Sequence, residues 1–399
     1  MLKKGIDRMS ASAWTERAVT VLETIEQAGR TRALRALRVL DGRTALRDDR
    51  VVLLCASNNY LGLAHHPRVR AAAQGALETH GLGSTGSRMT TGHSALHEQL
   101  EIALAKHRGT DAALLFNTGY MANLAVMTTF AREGDVLFSD ELNHASLIDG
   151  CRMSRARVVV YRHGDVSDLE EKLRVTPVSG LRIIVTDGVF SMDGDLAPLA
   201  DLVRLKRAWN ALLIVDDAHA TGVLGPRGEG TAAHFGMAAH EIDLHVGTLS
   251  KALGSEGGYV AGAQTLIAWL RQAARPFMFS TALSPAVIAG AHAALHIATD
   301  ESERRERMHS RARELRMALQ ARGFAASQGI TPIIPVHIGD AGAALALSAH
   351  LDQMGVFAPA IRPPSVPEGT SRIRLTVTAD HTREDVETVA NAFASFASR

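Results

Sequence analysis

The run Thr248-Leu-Ser-Lys251-Ala-Leu-Gly-Ser-Glu-Gly-Gly258 sets a lysine between a small hydroxyl residue and a glycine-rich stretch. A lysine in that position can form an imine with an aldehyde, while the glycines let the backbone approach a flat ring closely. Pyridoxal phosphate (PLP) is the aldehyde cofactor held in this way, with an acidic side chain as partner for its pyridinium nitrogen. On its own, Thr-x-x-Lys also describes many surface lysines. The segment Val215-Asp216-Asp-Ala-His219 adds the missing chemistry. A carboxylate at Asp216 would keep a pyridine nitrogen protonated, so that the ring stores the electron pair of a neighbouring carbanion. His219 could hydrogen-bond the phenolate oxygen of the ring, and His144 could lie against its face. Once displaced from the cofactor by an amino acid, Lys251 would be free to take the α-proton as general base. Burial beside cationic groups would lower its pKa for that task.

These residues need elements to position them, and the chain supplies strands. Apolar runs at Ala112–Phe116, Val136–Phe138, Arg182–Thr186, Ala211–Val215 and Asp243–Gly247 are each followed by one candidate segment. Those segments centre on Gly119, His144, Ser191, Asp216 and Lys251. Helical patterns alternate with the strands, which argues a mainly parallel sheet covered on both faces. Ligands of such sheets bind beyond the carboxyl ends of the strands. The turn Asn117-Thr-Gly119-Tyr120 before a helical run is a ready anion site, because free backbone N–H groups and the helix dipole face the anion. It is the place expected for the cofactor phosphate.

The remainder divides into an N-terminal helical segment (1–55), a large PLP-binding domain (56–290) and a small α+β domain (291–399). Helical spacing predicts a helix over Ala13–Leu40, and an arginine of that stretch such as Arg35 could reach a substrate carboxylate. Asn58, Asn59 and Gly62 mark a tight loop. His93 and His97 stand four apart but have no third ligand in view, so no metal is expected. The composition, 46% hydrophobic and 21% charged with a formal net charge of +1, gives no global field for nucleic acid or an anionic membrane. Two cysteines cannot form a disulfide framework. No apolar run is long enough to span a bilayer, and Met1–Asp7 lack the apolar core of a secretory signal. A cytoplasmic enzyme is expected.

Several motifs together resemble the α-oxoamine synthases, a family of fold-type I PLP-dependent acyltransferases. They are Ser57-Asn-Asn-Tyr-Leu-Gly62, Leu142-Asn-His-Ala-Ser146, Thr186-Asp-Gly-Val-Phe-Ser-Met-Asp-Gly194, Val215-Asp-Asp-Ala-His-Ala-Thr-Gly222 and Gly247-Thr-Leu-Ser-Lys251. The Arg-Pro-Pro of Ala360-Ile-Arg-Pro-Pro-Ser365 is similar to the biotin-synthesis branch of that family. The resemblance implies a seven-stranded sheet and a homodimer with sites at its interface. It implies decarboxylative condensation of L-alanine with pimeloyl-CoA or pimeloyl-acyl carrier protein. By motif, Gly119, Tyr120 and Thr248 would hold the phosphate, with Thr281 reaching the phosphate of the neighbouring subunit. His144 would stack on the ring, Ser191 and His219 would contact its oxygen, Asp216 would pair with its nitrogen, and Lys251 would carry the cofactor. Asn58 and Arg374 would bind the amino acid carboxylate, with Ser365 also on the substrate side. Ser365 and Ser284 depart from the threonine and proline commoner at their positions. A glycine- or serine-using sister synthase, or a non-catalytic PLP-fold subunit, are the rival readings; the presence of Lys251 weighs against the second.

Overall fold

The computed structural model describes residues 12–397; the reading of Met1–Asp7 lies outside them. Helix α1 (Ala13–Gln27) starts at the Ser12 cap and buries no residue. The helix expected to reach Leu40 stops there, because Gly29 takes a φ of 63° and turns the chain. Strands β1 (Arg38–Val39), β2 (Thr44–Arg47) and β3 (Arg50–Leu54) follow.

The centre of the molecule is a seven-stranded sheet. Its strands are β4 (Ala112–Phe116), β5 (Val136–Asp140), β6 (Arg157–Tyr161), β7 (Arg182–Asp187), β8 (Ala211–Asp216), β9 (Leu244–Thr248) and β10 (Gly258–Gly262), in the order β4-β10-β9-β8-β7-β5-β6. All pairings are parallel except those of β10, which returns from β9 by a hairpin and runs antiparallel to both its neighbours. The interior strands are apolar on both faces, as a doubly covered sheet requires. Alternate residues sort to opposite sides: Leu137, Ile183, Val185 and Ile214 join one core, and Phe138, Ile184, Leu213 and Val215 the other.

Helices α2 (Pro67–His80) and α3 (Ala95–Arg108) pack with helix Pro285–Asp300 in a further core. α4 (Gly119–Phe130) and α5 (Ala145–Met153) lie on the face that holds Leu137.

Beyond residue 301 the chain forms β11 (Ile333–Gly339), β12 (Val356–Phe357), β13 (Ala360–Ile361) and β14 (Ser371–Thr376), backed by helices Ser302–Ala321, Ala341–Gln353 and Arg383–Ala397. β11, β14 and β13 make an antiparallel sheet. The packing cuts the chain differently from the sequence division at 55 and 290. β3 pairs with β12, and Leu53 and Cys55 lie in the C-terminal core, so the early strands belong with the small unit. Ile288, Ala291, Ala294 and Leu295 lie in the core of the large unit, so its last helix runs to Asp300. Both differences have one cause: apolar faces are buried where partners exist in space, whatever their place along the chain.

Candidate active site

Strand register brings the expected segments to one edge. Phe116 pairs with Gly258, and Gly258 with Thr248, so β4 and β9 end side by side across β10. Asp187 pairs with Asp216, and Asp216 with Val246. Ser139, one residue from the end of β5, pairs with Val185. The carboxyl ends of β4, β5, β7, β8 and β9 therefore open onto a shared edge, where open parallel sheets bind ligands.

At that edge lies a cavity of about 190 Å³ lined by Gly119, Tyr120, His144, Asp216, His219, Thr248 and Lys251, all named by the sequence. Asn123, Ser146 and Asp187 also line it and were not foreseen.

Its floor is the start of α4. The Thr118 hydroxyl caps the helix by accepting from the Met121 amide at 3.0 Å. Glycine at 119 keeps this end small. Gly258 is needed for a closer approach, because a Cβ there would lie 2.5 Å from the Gly119 Cα and nitrogen. The Thr248 hydroxyl donates to the Gly257 carbonyl at 2.8 Å and lies 2.8 Å from the Ser250 hydroxyl. Unpaired helix-start amides beside two hydroxyls suit an anion. The Tyr120 hydroxyl is turned to Asp149.

Asp216 is buried at the end of β8. One carboxylate oxygen accepts from the Asn123 side-chain amide at 2.6 Å, the other from the Ala218 backbone amide at 2.8 Å. His144 caps α5, its Nδ1 accepting from the Ser146 amide at 3.2 Å. Its own backbone amide donates to Asp187 at 2.6 Å. Desolvation pushes the His144 pKa down, against the pull of Asp216, so the ring is held neutral. His219 lies well below the ordinary histidine value because it is buried and faces Lys251 and Arg374. Its Nδ1 is 2.7 Å from the Tyr60 hydroxyl, which donates to Asn58 at 3.0 Å. Asp187 is pushed well above the usual carboxylate range by burial and by the charge on Asp216.

The Lys251 side-chain amine makes no hydrogen bond to any described residue, while the backbone carbonyl accepts from the Gly254 amide at 2.9 Å. Burial lowers its pKa and the Arg374 cation adds to the effect, while Asp216 and Asp187 oppose it. An amine that is desolvated, unbonded and set between two carboxylates is a nucleophile in waiting.

Arg374 on β14 carries the small unit into the site. Its guanidinium reaches Asn58 at 3.3 and 3.4 Å and donates from Nε to the Ser191 carbonyl. Asn58, Arg374 and Ser191 therefore adjoin the cavity through Tyr60 and His219 without lining it. Two expected residues stand elsewhere. Thr281 is exposed, its carbonyl accepting from Asn117 at 2.6 Å and its backbone bridging to Ser87. Ser365 is exposed and accepts from Arg32 at 3.3 Å. Neither lines the cavity of a single chain. Arg35 is exposed. His93 and His97 have other duties: His93 lies 3.0 Å from Arg88 and 3.1 Å from Glu98, and His97 closes the cap of α3 with Ser94. No group of three or more metal-ligating side chains occurs among the described residues.

The missed residues had weak signals. Asn123 falls one turn after Gly119 on α4, on the same face. Ser146 is two residues after His144, in the first turn of α5. Tyr60 follows Asn58 and Asn59 in the tight loop, where a buried aromatic hydroxyl is not written in the pattern.

The fold and the site define a class. Residues 50–393 match the family described as aminotransferase class I and II, and the chain belongs to that family. Curated relatives give the narrower likeness. An 8-amino-7-oxononanoate synthase of Lysinibacillus sphaericus is 48% identical over 92% of this chain and 94% of its own. One of Geobacter sulfurreducens is 47% identical over 94% of this chain and 96% of its own. Among solved structures, a serine palmitoyltransferase from S. paucimobilis with a bound PLP–myriocin aldimine superposes with a TM-score of 0.91 at 33% identity, covering 96% of this chain and 98% of that one. Pyridoxal phosphate is the cofactor. The cavity's lining fits it: the start of α4 for a phosphate, the buried carboxylate of Asp216, and the Lys251 amine, which has no hydrogen bond to a described residue.

Proposed function

We propose that this chain condenses L-alanine with pimeloyl-CoA or pimeloyl-acyl carrier protein, with loss of CO₂, to give 8-amino-7-oxononanoate in biotin synthesis. The observation that carries the reading is the desolvated, unbonded Lys251 in a cavity whose floor is a helix start and whose wall is Asp216. Identity of about half the residues with named synthases supports the choice of substrates.

Bound PLP supplies an electron sink for the bond broken at the amino acid α-carbon. The protein does the rest. The Gly119 and Tyr120 amides and the Thr248 hydroxyl bind the phosphate. His144 covers one face of the ring, and its neutral state suits stacking. Asp216 holds the proton on the ring nitrogen; His219 and Ser191 attend the ring oxygen. Lys251 would anchor the cofactor and, once released, would take the α-proton of the amino acid, a role that its lowered pKa serves. Arg374 and Asn58 receive the alanine carboxylate in a forked contact. Ser365 lies on the acyl side, beside Arg32. Thr281 is exposed and does not line its own cavity, which favours a homodimer in which it serves the other subunit's phosphate. No helix of the described residues is long and apolar enough to cross a membrane. Two free, buried cysteines suit the cytoplasm.

A serine-using synthase is the second reading, favoured by the TM-score of 0.91. One assay separates them. The purified protein is given L-alanine, L-serine or glycine with pimeloyl-, palmitoyl- or acetyl-CoA, and products are identified by mass spectrometry. Expected is an oxoamine from alanine and the pimeloyl thioester. Product only from serine and palmitoyl-CoA, or from glycine and acetyl-CoA, would overturn the assignment.

A further inference from the structure

We propose that Asn123 is a positioning residue that governs two cofactor contacts through one side-chain amide: it aims the Asp216 carboxylate, and it fixes the tautomer of His144. This rests on the reading of Asp216 and His144 as partners of the PLP ring.

The geometry is a branched relay. The Asn123 nitrogen donates one hydrogen to Asp216 at 2.6 Å and the other to the Ser146 hydroxyl oxygen at 2.9 Å. Ser146 in turn lies 2.7 Å from His144 Nδ1. Asn123 and Ser146 are each 1% exposed, so water does not substitute for either contact. Hydrogen-bond accounting fixes every proton. An ionised Asp216 accepts only, so the NH₂ group of Asn123 must face it. Ser146 then accepts from Asn123 and turns its own hydrogen to His144. His144 Nδ1 accepts from that hydroxyl and from the Ser146 amide at 3.2 Å, which leaves its proton on Nε2. The cost of the arrangement is visible: the Asn123 carbonyl oxygen is buried and has no hydrogen-bond partner. A buried acceptor without a partner is costly, so the two bonds made by the nitrogen end must offset it.

Position along α4 adds the reason for the site. Gly119 opens the helix and Asn123 stands four residues on, about 6 Å along the axis. One rigid helix therefore presents the phosphate-facing amides and the group that grips Asp216.

The test uses three variants of the full chain: Asn123→Ala, Asn123→Asp (which keeps the shape and loses the donors) and Ser146→Ala, with Asp216→Asn as reference. For each, the Kd of PLP, the visible spectrum of the bound cofactor and the Tm of the apoprotein are measured. Asn123→Ala should weaken PLP about ten-fold or more, as expected for loss of a hydrogen bond to a charged group. Ser146→Ala should move the spectrum and change Kd less, since it severs only the histidine branch. Ser146→Ala should add nothing in an Asn123→Ala background.

Asn123→Asp sets a second carboxylate beside Asp216, with Lys251, His144 and Asp187 also facing the pair and His219 and Arg374 beyond them. Two such carboxylates share a proton, so this variant should recover PLP affinity as the pH falls, and Asn123→Ala should not.

A lowered apoprotein Tm with unchanged Kd and spectrum in both Asn123 variants, beside a weakened Asp216→Asn, would overturn the proposal alone. An unaffected Asp216→Asn would overturn the reading of Asp216 and the proposal with it.

Discussion

The role proposed for Lys251 rests on what surrounds it. A surface lysine is protonated at neutral pH; the amine of this one is desolvated, lacks a hydrogen bond, and feels the cation of Arg374, which lowers its pKa. Asp216 and Asp187 oppose that fall. Lys251→Ala removes both the cofactor anchor and the base. The expected result is loss of the visible absorbance of lysine-bound PLP and a fall in turnover of about 10²–10⁴ from the base alone. Exchange of the alanine α-proton with solvent, followed by NMR, should fall with it. Exchange at the parent rate would remove Lys251 from the role. Lysine between Ser250 and a glycine run was legible in the sequence because it follows a strand as the other candidate segments do; the spacing alone is shared with many surface lysines. The partners that tune it were less so: Asp187 reaches it from another strand, and Arg374 from another unit of the fold.

Elements set the loops that carry the site, and His163 ties three of them. It follows β6, and its two ring nitrogens lie 3.0 Å from Asp140 at the end of β5 and 2.8 Å from Asp195 in the loop after β7. That loop contains Ser191. The hydrogen bond to Asp140, then the one to Asp195, raises its pKa from 6.5 to about 10. The folded form thus binds this proton more tightly than the unfolded chain does. Its stabilisation is complete below about pH 6.5 and is lost as the pH rises toward 10. Against His163→Asn, the parent should hold a higher Tm at pH 6, and the gap should narrow steadily across that window. A gap of constant size would mean that packing against Phe190, whose ring centroid is 4.3 Å away, accounts for the whole effect. Strand positions were readable here, since β-branched runs show in any sequence; that the run at Val158–Val160 lies on the exposed edge strand and is not buried was not readable. The clamp was not, because a histidine just after a strand has no periodic signature and its two partners come from other loops.

Over the whole molecule the chain doubles back, and the sequence order hides it. The apolar run at 51–55 reads as a strand but does not say which sheet it enters; it pairs with β12, some three hundred residues away. The run from Pro285 to Ala298 reads as helical without naming α2 and α3 as its bed. Non-local burial of this kind leaves the core of the small unit apart from the core on the α4 face of the sheet, and each of these two has its own reporter. Cys55 lies in the small-unit core, 1% exposed, with its pKa pushed up to about 12 by burial. Cys151 lies in the sheet core, 2% exposed, and burial pushes it up to about 11. Neither thiol should react in the native protein, because the thiolate is the reactive form and both are inaccessible. With Cys151→Ala, thiol labelling in graded urea reports opening around Cys55; with Cys55→Ala, it reports opening around Cys151. Because β3 is stitched between the small-unit strands and the loop that bears Asn58, the two units should open together. Both variants should then label at the same urea midpoint, and added PLP should shift both midpoints upward by a similar amount, since a ligand of the folded state stabilises every part that unfolds with it. A Cys55 midpoint well below that of Cys151 and unmoved by PLP would show that the small unit opens by itself, and that Arg374 can leave the site while the sheet stays folded.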